Sequence, residues 1–210
     1  AHVRPSIIPG IAEILGGRVE LGTIRDVRIE DLLGRETVQL DRELIAEMLS
    51  GGCVAVTGAG GSIGSELCRQ IARVGPARLL LIERAEPALF EIQQELLRAF
   101  PDLEVVAAVG DVGDADRMDT VFARCKPRVV FHAAAHKHVP LMEANAGEAI
   151  KNNVFGTRTV ADAADRAGVE TFVFISTDKA VNPTSVMGAS KRVAEVYLQA
   201  LSRRSSTRFV

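Results

Sequence analysis

The chain has 210 residues, 47% of them hydrophobic, enough to bury one substantial core but too few for two full domains. Its formal net charge of −2 sets up no single-sign field toward nucleic acid or an anionic membrane surface, so neither partner is expected. Cys53, Cys68 and Cys125 stand far apart with no CxxC pair, which excludes a disulfide framework and suits a reducing, cytoplasmic setting. No apolar run reaches the length of a membrane span and no secretory leader pattern is present.

In chain order, residues 1–50 read as an N-terminal lead-in segment and 51–210 as the domain proper. The lead-in holds the turn-rich pieces Ile8-Pro9-Gly10 and Leu15-Gly16-Gly17, a charged stretch over 25–31 read as a solvated strand or loop, and a short closing helix. Asp41 is placed to cap that helix, over 42–49, and Gly51-Gly52 to end it. From Cys53 onward, short apolar runs alternate with amphipathic stretches, which predicts an α/β fold with a Rossmann-type doubly wound parallel sheet. Strands are expected at 53–57, 79–83, 105–109, 129–133 and 171–176, and helices at 62–74, 86–99, 114–123, 143–167 and 186–202. Residues 207–210 read as the start of a sixth strand, as in a domain that lacks its C-terminal substrate-binding part.

The first strand runs into Thr57-Gly58-Ala59-Gly60-Gly61-Ser62-Ile63-Gly64 and then a helix. Glycines there let the turn tighten, the backbone approach a pyrophosphate and the helix pack on its strand, while the helix start supplies amide donors. With Glu83 ending the second strand, the expected ligand is a dinucleotide. Glu83 is placed to accept from the adenosine ribose hydroxyls, which favours NAD over NADP because a 2′-phosphate would meet a carboxylate. The neighbouring Arg84 weakens that preference, and a merely solvated strand-end carboxylate is the alternative. After the third strand, Asp111 of Gly110-Asp111-Val112 either reaches the adenine amino group or serves the turn.

Ser176-Thr177-Asp178-Lys179 follows the fifth strand, at the sheet edge where open α/β folds hold their ligands. Ordinary turn chemistry is the alternative. On the next helix, Met187-Gly188-Ala189-Ser190-Lys191 places Met187 and Lys191 on one face. His132, His136 and His138 invite a metal-site reading, but His132 falls in a predicted strand and no acidic partner stands at ligand spacing. No metal is expected, and loop or pocket lining is their default role.

Residues 57–64 resemble the fingerprint of the extended short-chain dehydrogenase/reductases, and Ser176-Thr177-Asp178-Lys179 resembles a stretch of nucleotide-sugar 4,6-dehydratases. Ile29-Glu30-Asp31-Leu32-Leu33-Gly34-Arg35, Ala134-Ala135-His136-Lys137-His138-Val139-Pro140-Leu141-Met142-Glu143 and Asn152-Asn153-Val154-Phe155-Gly156-Thr157 extend the likeness to the CapD-type polysaccharide-biosynthesis family. The resemblance implies that NAD takes hydride from C4 of UDP-N-acetylglucosamine, that water leaves across C5 and C6, and that the hydride returns to C6. It implies Thr177 at the C4 oxygen, Asp178 as the acid at the C6 hydroxyl and Lys179 as the base at C5. Such a lysine must be neutral, through burial or a nearby cation such as Lys191.

The resemblance also implies Lys191 at the nicotinamide ribose. Met187 stands where the superfamily has a catalytic tyrosine, and a thioether carries no proton; a water relay or Asp178 is left to serve the C4 hydroxyl. Cofactor contacts are implied at Gly58, Gly60, Gly61, Ser62, Ile63 and Gly64, at Glu83, Arg84, Asp111 and Val112, at Ala133, Ala134 and Ala135, at Lys137, which is placed for a substrate or cofactor phosphate, and at Asn153, which supports the active-site helix and cofactor loop or else is an ordinary buried Asn satisfying backbone. The implied whole protein takes a UDP-sugar at the cytoplasmic face of a bacterial inner membrane for surface polysaccharide or glycan synthesis, and helices 143–167 and 186–202 would make a homodimer contact. The rival readings are a nucleotide-sugar 4-epimerase and a non-catalytic NAD-binding scaffold.

Overall fold

A computed structural model describes residues 6–7, 25–26 and 41–210. Contacts divide the chain into two units, Ala1–Asp41 and Arg42–Val210. In the first, the two-residue strands β1 (Ser6–Ile7) and β2 (Arg25–Asp26) pair antiparallel. The turn-rich pieces, residues 27–31 of the charged stretch and the Ile29 to Arg35 motif lie outside the described residues.

The second unit opens with helix α1 (Arg42–Leu49), whose Leu49, Ile45 and Met48 pack into the core below the sheet. Six strands follow: β3 (Cys53–Thr57), β4 (Arg78–Glu83), β5 (Glu104–Val109), β6 (Val129–His132), β7 (Thr171–Phe174) and β8 (Arg208–Phe209). All are parallel, in the order β5-β4-β3-β6-β7-β8. This is the doubly wound order, with its topological switch between β3 and β6. Successive strand residues face opposite ways. Val54, Val56, Leu79 and Leu81 pack against helices α2 (Ser62–Val74) and α3 (Glu86–Ala99). Ala55, Leu80, Ile82 and Val130 pack against α4 (Ala115–Cys125) and two later helices. Burial on both faces is why these strands read as unbroken apolar runs.

The stretch expected as one helix over 143–167 is instead four pieces: α5 (Val139–Ala144), α6 (Ala146–Ala149), a π-helical segment (Ile150–Gly156) and α7 (Thr157–Arg166). Asn145, at φ −135° and ψ 51°, leaves helical geometry and separates the first two. The last long helix, α8 (Val186–Ser202), has two caps: Ser185 Oγ accepts from Gly188 N and Glu143 Oε1 from Val186 N. β7 is two residues shorter than expected. Ile175 N still donates to His132 O, but the Ile175 carbonyl accepts from Lys191 Nζ at 2.6 Å instead of continuing the ladder. Among the described residues, no helix is long and apolar enough to cross a membrane.

Candidate active site

Register places three loops at one level of the sheet. Thr57 pairs with His132 and His132 with Phe174, so the turns after β3, β6 and β7 all leave the same carboxyl edge. Adjacent strands lie about 4.8 Å apart, which sets the Ser176 turn roughly 10 Å along that edge from the glycine turn.

At the glycine turn, Gly58 has φ +67°, and an added Cβ would sit 2.7 Å from the Ala134 backbone. Gly64 is equally constrained: a Cβ there would lie 1.9 Å from Gly58 O. Helix α2 has Gly61 at its N-cap and no side-chain cap, so its first amides, near the exposed Ser62 and Ile63, stay open to an anion. Beside them lies a cavity of about 340 Å³, bounded by Gly58, Gly60 and Gly61, by Glu83 and Arg84, by Gly110 and Val112, and by Ala133, Ala134 and Ala135. His136, expected in loop or pocket lining, is on its wall, and so are Ile82, Ala85, Ala88 and Asn152, which the expected contacts did not include.

Glu83 holds the turn together: Oε2 accepts from Gly60 N at 3.2 Å, and Oε1 from the Arg84 and Ala85 amides at 2.9 and 3.0 Å. Arg84 reaches across the cavity mouth, 3.4 Å from His136 Nε2 and 3.8 Å from Asp111 Oδ2. Burial, with the Arg84 cation next in weight, holds His136 below the ordinary histidine range. Asp111 does not line the cavity; its Oδ1 accepts from Gly113 N at 2.8 Å, closing its own turn. Lys137 is exposed and outside the lining.

Asn153, in the π-helical segment, is fully buried and uses its whole hydrogen-bonding capacity. Its amide donates to His136 O and Ser190 Oγ, each at 3.0 Å, and its oxygen accepts from His136 N and Asn152 Nδ2. His132, expected in loop or pocket lining if not a ligand, is instead sealed in the sheet end at 0% exposure, between the hydroxyls of Thr57 and Thr157. His138 precedes α5 and is exposed.

Thr177, Asp178 and Lys179 bond to one another. The Thr177 hydroxyl donates to Asp178 Oδ1 at 3.0 Å, and Lys179 Nζ donates to the same oxygen at 3.4 Å. Those bonds, the hydroxyl first, hold the exposed Asp178 below the usual carboxylate range. The burial expected around Lys179 is absent among the described residues: its side chain is 54% exposed. Lys191 is the buried lysine, 4% exposed, with Nζ 3.8 Å from the centre of the Phe174 ring. Burial lowers its pKa from 10.5 to about 8. Met187 packs with Met142 and Ala149 in a small apolar cluster, a filling role suited to a flexible thioether.

A family described as polysaccharide biosynthesis protein matches residues 54–210. The chain is 51% identical, over 97% of its length, to the probable polysaccharide biosynthesis protein EpsC of Bacillus subtilis, and 47% identical over the same share to the capsular polysaccharide biosynthesis protein CapD of Staphylococcus aureus. It spans about a third, 34%, of the length of each. Over 70% of its length, and 43% of the relative's, it is 33% identical to a UDP-N-acetylglucosamine 4,6-dehydratase (inverting) of Campylobacter jejuni. Among solved structures, Pen from Bacillus thuringiensis superposes with a TM-score of 0.68 at 30% identity, covering 77% of this chain and 49% of that one. The UDP-glucose 4-epimerase of Bifidobacterium longum, solved with NAD+ and UDP, shares the fold at TM-score 0.66 and 21% identity, over 75% of this chain and 51% of that one. With the match running from the first sheet strand to residue 210, this chain belongs to the polysaccharide biosynthesis protein family, alongside CapD and EpsC.

Proposed function

We propose that the chain is the dinucleotide-binding part of an NAD-dependent nucleotide-sugar 4,6-dehydratase that acts on UDP-N-acetylglucosamine in bacterial surface polysaccharide or glycan synthesis. The observation that carries this reading is one sheet edge bearing both an open-amide glycine turn and, two strands along, a Thr-Asp-Lys turn. The donor set fits the cofactor: free helix-start amides suit a diphosphate, and Glu83 on the cavity wall suits a ribose diol. When bound, NAD supplies the hydride acceptor at C4 and the hydride donor at C6.

The chain's own residues do the rest. Thr177 orients the C4 oxygen, Asp178 takes the C4 hydroxyl proton as hydride leaves and then gives it to the departing C6 hydroxyl, and Lys179 takes the C5 proton and returns it when hydride reaches C6. Substrate must first part the Lys179–Asp178 pair, 3.4 Å apart in the open chain, and cover both groups. Burial disfavours both charged forms, so it moves the carboxyl toward acid use and the amine toward base use.

Incubating the full-length protein with UDP-N-acetylglucosamine and following the sugar by mass spectrometry and NMR tests the reading. Loss of one water with a ketone at C4 is the expected product. A C4 epimer that retains its C6 oxygen would establish the epimerase instead, and an unchanged sugar the scaffold. Lys179→Ala should slow elimination by about 10²-fold or more; undiminished turnover would remove Lys179 from the base role.

A further inference from the structure

A run of buried hydrogen bonds joins the parts of the cavity wall from beneath. Thr57 Oγ1 lies 2.7 Å from His132 Nδ1, and His132 Nε2 lies 3.0 Å from Thr157 Oγ1. Thr157 Oγ1 in turn donates to Asn153 O at 2.7 Å. A hydroxyl has a single proton. Since Thr157 directs its own at Asn153, it accepts from His132, and Nε2 carries the ring hydrogen. Nδ1 is then a bare acceptor, filled by the Thr57 hydroxyl, whose oxygen also takes the Ala134 amide at 3.4 Å. The rings of Phe172 and Phe174, centred 5.8 and 5.9 Å away, pack around the imidazole. Burial, aided by the Lys191 charge, lowers its pKa to about 3, so the ring stays neutral at physiological pH.

We propose that His132 is a positioning residue: as the neutral Nε2–H tautomer it ties the glycine turn to the Asn153 side of the cavity and so sets the spacing of the dinucleotide site. Thr57 directly precedes Gly58. At the other end, Asn153 grips both main-chain polar atoms of His136 and holds Ser190, the neighbour of Lys191. The tie thus crosses β3, β6, the π-helical segment and α8 in fixed hydrogen-bond directions. Its bearing on cofactor rests on the dinucleotide reading; the tautomer does not.

The test begins with nitrogen-15 NMR of the 210-residue chain labelled at its 4 histidines. The resonance lost in His132→Gln should report Nε2–H and stay unchanged from about pH 5 to about pH 8. An Nδ1–H or averaged pattern overturns the proposal. Thr157→Val removes the acceptor with little change in shape. It should speed exchange of the Ala134 amide, on the far side of the imidazole, about tenfold, and raise the NAD dissociation constant of the full-length protein about tenfold. Thr157→Ser, which keeps the hydroxyl, should restore both values, and His132→Gln, which cannot reach Thr57, should repeat both losses. Unchanged NAD affinity in the Thr157→Val and His132→Gln variants overturns the positioning role alone. Absence of NAD binding by the wild-type protein overturns the dinucleotide reading, and this role with it, whatever the tautomer.

Discussion

Lys191 keeps a charge inside the protein with few supports, the Ile175 carbonyl at 2.6 Å and the Phe174 ring at 3.8 Å. Its folded pKa of about 8 lies below the ordinary 10.5, so the folded chain releases this proton before the unfolded chain does. Below pH 8 both states hold the proton and the fold carries the full cost of burying it; as pH rises toward 10.5 that cost, about 3 kcal/mol, is relieved. Cys53 and Cys68, raised by burial from 9.0 to about 11 and about 12, act oppositely above pH 9. A difference measurement removes them. In urea unfolding, the stability of Lys191→Met relative to wild type should fall by about 2 kcal/mol between about pH 7 and about pH 9.5. A constant gap would mean that Lys191 does not titrate in that window. Close by, Gly188 is needed for a different reason: an added Cβ would lie 2.3 Å from Lys179 O, because the turn over Asp178–Ala180 rests on the start of α8. Gly188→Ala should cost about 1–3 kcal/mol and, in the full-length protein, lower turnover more than NAD affinity. An equal loss of both would show that the strain spreads to the glycine turn.

At the scale of elements, the join between α1 and the sheet depends on Arg128, the residue before β6. Its Nη2 donates to the carbonyls of Glu47, Met48 and Ser50, at 3.3, 2.6 and 3.0 Å. These are the carbonyls a helix C-terminus leaves unpaired, where a cation also meets the negative end of the helix dipole. Arg128→Ala should destabilise the chain by about 1.5–3 kcal/mol and speed amide exchange in 42–49 ahead of the sheet; uniform exchange would mean that α1 does not open separately. Nothing in the local sequence pairs Arg128 with a helix some 80 positions earlier, and the reading of 42–49 as lead-in missed the link. Strands buried on both faces were legible because their apolar runs end in turn residues, as at Cys53–Thr57, and α2, α3 and α8 because their periodicity is unbroken. The π-helical segment was not, since one widened turn inside an amphipathic stretch leaves the apolar spacing nearly unchanged. That widened turn carries Asn153. His132 gave a faint signal, a lone polar residue ending an apolar strand, but its threonine partners sit 75 and 25 positions away. Thr177, Asp178 and Lys179 could be found as a cluster, whereas their exposure could not.

For the molecule as a whole, that exposure decides what the chain does alone. The Asp178 side chain is 80% exposed and that of Lys179 54%, in water that hydrates both charges and keeps them paired. An acid and a base gain catalytic power when water is excluded and their charged forms are disfavoured. The chain spans 34% of the length of CapD and of EpsC, and the cover over Asp178 and Lys179 is expected from the remaining two thirds. The cofactor side differs: the open amides of α2, the Glu83 carboxylate and the cavity beside them all belong to this chain. The 210-residue chain should therefore bind NAD weakly, as seen by calorimetry, and release no 4-keto product from UDP-N-acetylglucosamine on prolonged incubation with NAD. Steady product formation would show that Asp178 and Lys179 need no further cover. Complete absence of NAD binding would show that even the dinucleotide site needs the rest of the protein to close it.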